Sequence, residues 1–122
     1  MGLKFVTITV MSGAEDGRTF ELHDFPVILG RHPNDGVFLP HDREVSRHHA
    51  RITCNNDSFF LEDLGVNGKG STNGTYLNGH IVKTTTPISS GDMLLLGTIR
   101  LRFDKRDDIS YNSPDNKSLE KN

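Results

Sequence analysis

The sequence predicts an all-β fold, a sandwich or barrel of many short strands. Three observations lead there. Apolar residues alternate with polar ones at period two in several segments, and turn dipeptides recur between those segments. No stretch of ten or more residues carries helical periodicity. At 122 residues and 34% apolar content, there is room for one domain with an ordinary core.

Taken in order, Val6, Ile8 and Val10 alternate with Thr7 and Thr9, which reads as a half-buried strand. Ser12-Gly13 and Asp16-Gly17 turn the chain into a second strand around Phe20 and Leu22. Val27-Ile28-Leu29 and Val37-Phe38-Leu39 are short apolar pieces separated by Asp35-Gly36. Ala50, Ile52 and Cys54 share one face while Arg51 and Thr53 take the other, so Cys54 is expected to point inward. Phe59-Phe60-Leu61 and Met93-Leu94-Leu95-Leu96 supply further strands, with Asn73-Gly74, Asn78-Gly79 and Gly91-Asp92 as turns. Ile99, Leu101 and Phe103 close the pattern, flanked by Arg100 and Arg102. Thr84-Thr85-Thr86-Pro87 reads as a polar strand connection.

From Lys105 the character changes to a polar tail or linker, residues 105–122, that cannot bury enough to offset its ordering entropy. The globular unit is expected over 1–104, and the linker-like tail suggests the N-terminal part of a larger protein. The net charge of −2, from 14 basic and 16 acidic residues, argues against nucleic acid as a partner. No apolar run approaches a membrane span and the N-terminus lacks a signal-peptide pattern, so a cytoplasmic protein with no membrane partner is expected. The single cysteine excludes an internal disulfide and a multi-cysteine zinc site. His32, His41, His48 and His49 lack a recognised ligand spacing, so no metal and no cofactor are expected.

Chemistry concentrates in three polar segments: Gly30-Arg31, Val45-Ser46-Arg47-His48-His49-Ala50 and Ser71-Thr72-Asn73-Gly74-Thr75. Each offers guanidinium, hydroxyl or carboxamide donors, and a phosphate dianion suits such a set. No catalytic residue is expected. Ser46 with His48, His49 and Asp42 or Asp63 has the ingredients of a triad but no nucleophile elbow. Gly68-Lys69-Gly70-Ser71-Thr72 breaks the nucleotide-loop spacing because Gly70 separates lysine from hydroxyl.

In order and wording, Gly30-Arg31-His32-Pro33-Asn34-Asp35, Val45 to Ile52, Asp63-Leu64-Gly65 and Ser71 to Gly79 closely resemble the forkhead-associated (FHA) domain. The resemblance covers residues 3–104 and implies a two-sheet β-sandwich of about eleven short strands with ligand loops at one end. It implies a monomeric, non-catalytic module for phosphothreonine-containing proteins or peptides in Ser/Thr kinase signalling. Arg31 and Ser46 match direct phosphate contacts. Arg47 and Thr72 match positions serving the phosphate or adjacent peptide, and Asn73 matches the residue holding the peptide backbone. Gly30, His49 and Gly74 match positions that shape the loops. A phosphate-independent interaction or assembly domain is the alternative, against which intact Arg31, Ser46 and Asn73 argue. One departure stands out: Val66-Asn67-Gly68-Lys69-Gly70 is interposed before the last block, making Lys69 a candidate for peptide selectivity.

Overall fold

Each apolar alternation becomes a strand with one face on a shared core. In β1 (Lys4–Val10), Val6, Ile8 and Val10 are fully buried, and in β11 (Ile99–Asp107) Leu101 and Phe103 are too. The two strands pair antiparallel along their length, with Ile8 opposite Phe103. That register keeps both apolar sets on one face of the sheet. The computed structural model describes residues 4–65 and 71–107, and among them every regular element is a strand.

β2 (Thr19–Leu22), β10 (Met93–Leu96), β7 (Thr75–Leu77) and β8 (His80–Ile81) complete the first sheet, in the order β2-β1-β11-β10-β7-β8. The second sheet runs β4-β3-β5-β6-β9, from β4 (Val37–Phe38), β3 (Val27–Gly30), β5 (Ala50–Asn55), β6 (Ser58–Asp63) and β9 (Thr86–Ile88). Leu29, Ile52 and Leu61 from this sheet join Ile8, Leu94, Leu96 and Leu101 from the other in a single apolar core. The expected two-sheet all-β sandwich is what the chain forms.

Four local outcomes differ from the sequence pattern. Cys54 is exposed, because it sits beside the β5–β6 turn at Asn56-Asp57, where the sandwich no longer covers the strand. β9 carries Pro87, which is accommodated because β9 is an edge strand and that position needs no ladder donor. β3 and β4 pair parallel, Leu29 opposite Val37, across a loop too short to be expected from the usual crossover. Lastly, β11 runs to Asp107, with Lys105 opposite Val6 and Arg106 opposite Phe5. Backbone pairing with β1 does not require apolar side chains there, and Arg106 Nε donates to Thr7 Oγ1 at 3.1 Å across the outer face. The remainder of the expected tail lies outside the described residues.

Candidate functional site

The β3–β4, β4–β5 and β6–β7 loops converge at one end of the sandwich, and hydrogen bonds lock them together. The Arg31 amide donates to the Ser46 carbonyl at 3.1 Å, and Arg31 Nε donates to the Val45 carbonyl at 2.9 Å. The Thr72 amide donates to Ser46 Oγ at 3.1 Å. Asn73 Nδ2 donates to the Glu44 carbonyl at 2.9 Å. A groove of about 290 Å³ opens between these loops, walled by Arg31, Ser46 and Arg47 on one side and Thr72 and Asn73 on the other. All five predicted contact residues therefore face one depression. Lys69 lies outside the described residues.

Arg43 and Glu44 also line this groove. Nothing in the sequence marks Arg43, one charge among three in Asp42-Arg43-Glu44. Three arginines against one glutamate make the groove locally cationic on a chain of net charge −2. Among the described residues no carboxylate lies within ion-pair distance of Arg31, Arg43 or Arg47. The next two acids after Arg31 in the chain are engaged elsewhere. Asp35 accepts from the His32 and His48 amides and from His48 Nδ1, and Asp42 accepts from Thr98 and the Glu44 amide. Among the described residues, Arg31 makes its side-chain hydrogen bond through Nε and the outer nitrogens have no partner.

Behind the groove, His49 is fully buried and links three segments. Its Nδ1 accepts from the Ser46 amide at 2.9 Å and its Nε2 donates to the Gly74 carbonyl at 2.8 Å. The amide donor at Nδ1 fixes the neutral tautomer with the proton on Nε2. Neither nitrogen is left to act as a base on Ser46 Oγ, which itself accepts from Thr72. His48 points the opposite way, but not by strand alternation: it occupies a turn with φ of 53° before β5 begins. Gly74, at φ of 83°, supplies the left-handed turn that aims its carbonyl at His49.

Asp63, at the end of β6, anchors the third loop. It accepts from the Ser71 amide at 2.8 Å, Ser71 Oγ at 2.6 Å and Thr75 Oγ1 at 2.6 Å. Asp42 plays the same part for the second loop, fastening it to Thr98 on the β10–β11 turn. Partial burial alone would raise the Asp42 pKa, but the hydrogen bonds from Thr98 and Glu44 outweigh it and hold the carboxyl below its ordinary value. These roles escaped sequence reading, since an aspartate beside a loop carries no mark of which amides it will meet.

Burial pushes the His49 pKa below its ordinary value of 6.5, against the opposing pull of the Gly74 carbonyl and of Asp63 and Asp42. The folded state therefore resists a proton that the unfolded chain accepts. Stability from this group is complete above about pH 6.5 and is lost as pH falls from there through the depressed folded value. Thermal melts at fixed salt should show Tm falling from pH 7.5 to pH 5. His49→Gln should flatten that slope, and an unchanged slope would remove His49 as its source.

The family comparison decides what this geometry belongs to. A model of the FHA domain matches residues 27–97, a span containing every residue of the groove. The chain belongs to the FHA domain family. It is 36% identical over 96 residues to an oxoglutarate dehydrogenase inhibitor of Corynebacterium jeikeium, covering 79% of this chain and 62% of that protein. It is 35% identical to the glycogen accumulation regulator GarA of Mycobacterium tuberculosis, over 79% of this chain and 55% of that one. This FHA domain thus spans a little over half the length of the curated relatives it matches. An FHA domain solved in a study of phosphothreonine-dependent FHA domain interactions superposes with a TM-score of 0.70 at 32% identity, covering 82% of this chain and 95% of that one.

Proposed function

We propose that this FHA domain is a non-catalytic reader of phosphothreonine in a partner protein. The observation that carries the reading is the convergence of Arg31, Ser46, Arg47, Thr72 and Asn73 on one cationic groove. A phosphate dianion presents three acceptor oxygens, and the groove presents three arginines that have no carboxylate at ion-pair distance among the described residues. The Arg31 fork, held at Nε by the Val45 carbonyl, directs its outer nitrogens to two oxygens. The Ser46 hydroxyl keeps its own proton to donate while accepting from Thr72. Arg47 adds charge, and the Thr72 hydroxyl adds a neutral donor at the rim. Asn73 stays tied to Glu44 through Nδ2, which leaves its carboxamide oxygen for a peptide N–H.

The described loop residues are tied together by hydrogen bonds without a ligand, which lowers the ordering entropy that opposes binding. Threonine is preferred over serine on the strength of family membership. The names of the relatives, an inhibitor of a dehydrogenase and a regulator of glycogen accumulation, support a regulatory role exercised by docking on a target. Such a domain works as a monomer in the cytoplasm, where kinases write the mark. Lys69 and Arg43 are the side chains we assign to residues flanking the phosphothreonine.

A library of phosphothreonine peptides titrated beside its unphosphorylated counterpart tests the reading. Selective retention of phosphorylated members is expected. Equal retention of both sets contradicts it.

A further inference from the structure

Outside the groove, the fold brings together three side chains with metal-ligand chemistry. His32, Asp35 and His48 each present a ligand atom within 4.8 Å of the other two. The two histidines come from different loops, and sequence spacing could not join them. Their rings lie 4.8 Å apart at centroids, inclined by 33°. Asp35 is fastened from behind, its Oδ2 accepting from the His32 amide at 3.1 Å and the His48 amide at 3.2 Å. Its Oδ1 meets His48 Nδ1 at 2.6 Å.

We propose that these residues form a site for a divalent transition ion of the zinc class, on the flank of the peptide groove. Two imidazoles and a carboxylate are the donor set such ions take when part of the coordination sphere stays open to water. The ion enters where Asp35 Oδ1 and His48 Nδ1 now share a proton, and the imidazole proton is then carried on Nε2. A tetrahedral site with bonds of about 2.0 Å needs ligand atoms roughly 3.3 Å apart. Asp35 Oδ1 and His48 Nδ1, at 2.6 Å, therefore have to open slightly while the wider separations within the 4.8 Å cluster close. The His48 side chain, 52% exposed against 2% for Asp35, shifts outward and the His32 ring swings in. Asp35 keeps its two backbone donors on Oδ2 throughout, so the anchor does not move. His32 joins by releasing the Asn34 amide, which now donates to its Nδ1 at 3.0 Å and so places the neutral ring's proton on Nε2. Such an ion would clamp the β3–β4 loop to the β4–β5 loop, immediately beside Arg31 and Arg47.

The other candidate ligands on the described surface are scattered. Cys54 stands alone at the far hairpin, His41 has Glu15 at 3.8 Å, and His23 has Glu21 at 3.1 Å. These provide the controls. Calorimetric titration with zinc ions alone should give one ion per chain, and saturating zinc should raise Tm by about 5 °C. His32→Gln and His48→Gln should each weaken binding by about 10–100-fold, while His41→Gln and Cys54→Ser leave it unchanged. Melting curves without zinc establish that each variant is folded, and either histidine variant alone suffices for the comparison. Absence of saturable binding at millimolar zinc, or binding that persists in both histidine variants, overturns the site.

Discussion

Replacing Arg31 by alanine is expected to lower affinity for a phosphothreonine peptide by roughly 10–200-fold, the equivalent of one charge-assisted hydrogen-bond set at about 1.5–3 kcal/mol. The effect is large because the guanidinium does not have to be released from an internal ion pair before it binds. Asp35 and Asp42, the next two acids after it in the chain, are committed to His48 and Thr98. Alanine also leaves the Val45 carbonyl without its side-chain donor, a loss of about 1 kcal/mol in stability. Melting therefore separates the two consequences: Tm should fall by only a few degrees while affinity collapses. Arg31→Lys should recover part of the affinity through charge, but not the two-oxygen geometry of the fork. As a control, Arg18→Ala should bind normally, since Arg18 is paired with Glu15 at 2.8 Å away from the groove. Affinity unchanged in Arg31→Ala would mean that phosphate is bound elsewhere or not at all.

Gly30→Ala should produce the largest loss of stability, about 3 kcal/mol, with Tm lower by roughly 12–20 °C. The reason is close approach. A Cβ at this position would lie 2.5 Å from Asp35 Oδ2, 2.6 Å from the His48 amide nitrogen and 2.9 Å from the His49 amide nitrogen. Two of those atoms are backbone, and the third is held by two amides, so none can yield cheaply. The substitution strikes the point where the first two loops meet. Peptide affinity should therefore fall even at temperatures where the variant remains folded. A Tm within about 3 °C of the parent would show that the loops are not packed this tightly.

These two positions also illustrate what the sequence could reveal. Period-two alternation at Val6 to Val10 and at Ile99 to Phe103 marked the central strands, because a buried sheet face leaves a pattern along the chain. It could not show β9, where Pro87 sits on an edge, or the last turn of pairing in β11, which is made by backbone against Lys4, Phe5 and Val6. Cys54 kept its place in the alternation but lost its cover, since alternation reports the face and not how far the opposite sheet extends. For the groove, Arg31, Ser46, Arg47, Thr72 and Asn73 were legible through family resemblance. Composition alone offered only a collection of donors. The hydrogen bonds made by the aspartates behind them were not legible. Asp35, Asp42 and Asp63 act by meeting amides and hydroxyls contributed by distant segments, such as Thr98 for Asp42 and Thr75 for Asp63. Those partnerships exist only in three dimensions. Arg43 was hidden for a related reason, being one charge among three in Asp42-Arg43-Glu44 until the loop turned it toward the groove.

The division of labour that follows is simple in physical terms. The sandwich carries the loops, Asp35, Asp42, Asp63 and His49 hold them in register, and among the described residues Arg31, Arg43 and Arg47 have no carboxylate at ion-pair distance. The groove is thereby locally cationic on a chain whose net charge is −2.

The most direct measurement of that account is amide shift mapping of the labelled domain with a retained phosphothreonine peptide, run beside the same peptide without its phosphate. The phosphorylated form should perturb Arg31, Ser46, Arg47, Thr72 and Asn73 while leaving the outer faces of both sheets unmoved, and the unphosphorylated form should perturb neither. Equal perturbation by the two peptides, or shifts centred on a sheet face such as Tyr76, Leu95 and Arg100, would contradict it.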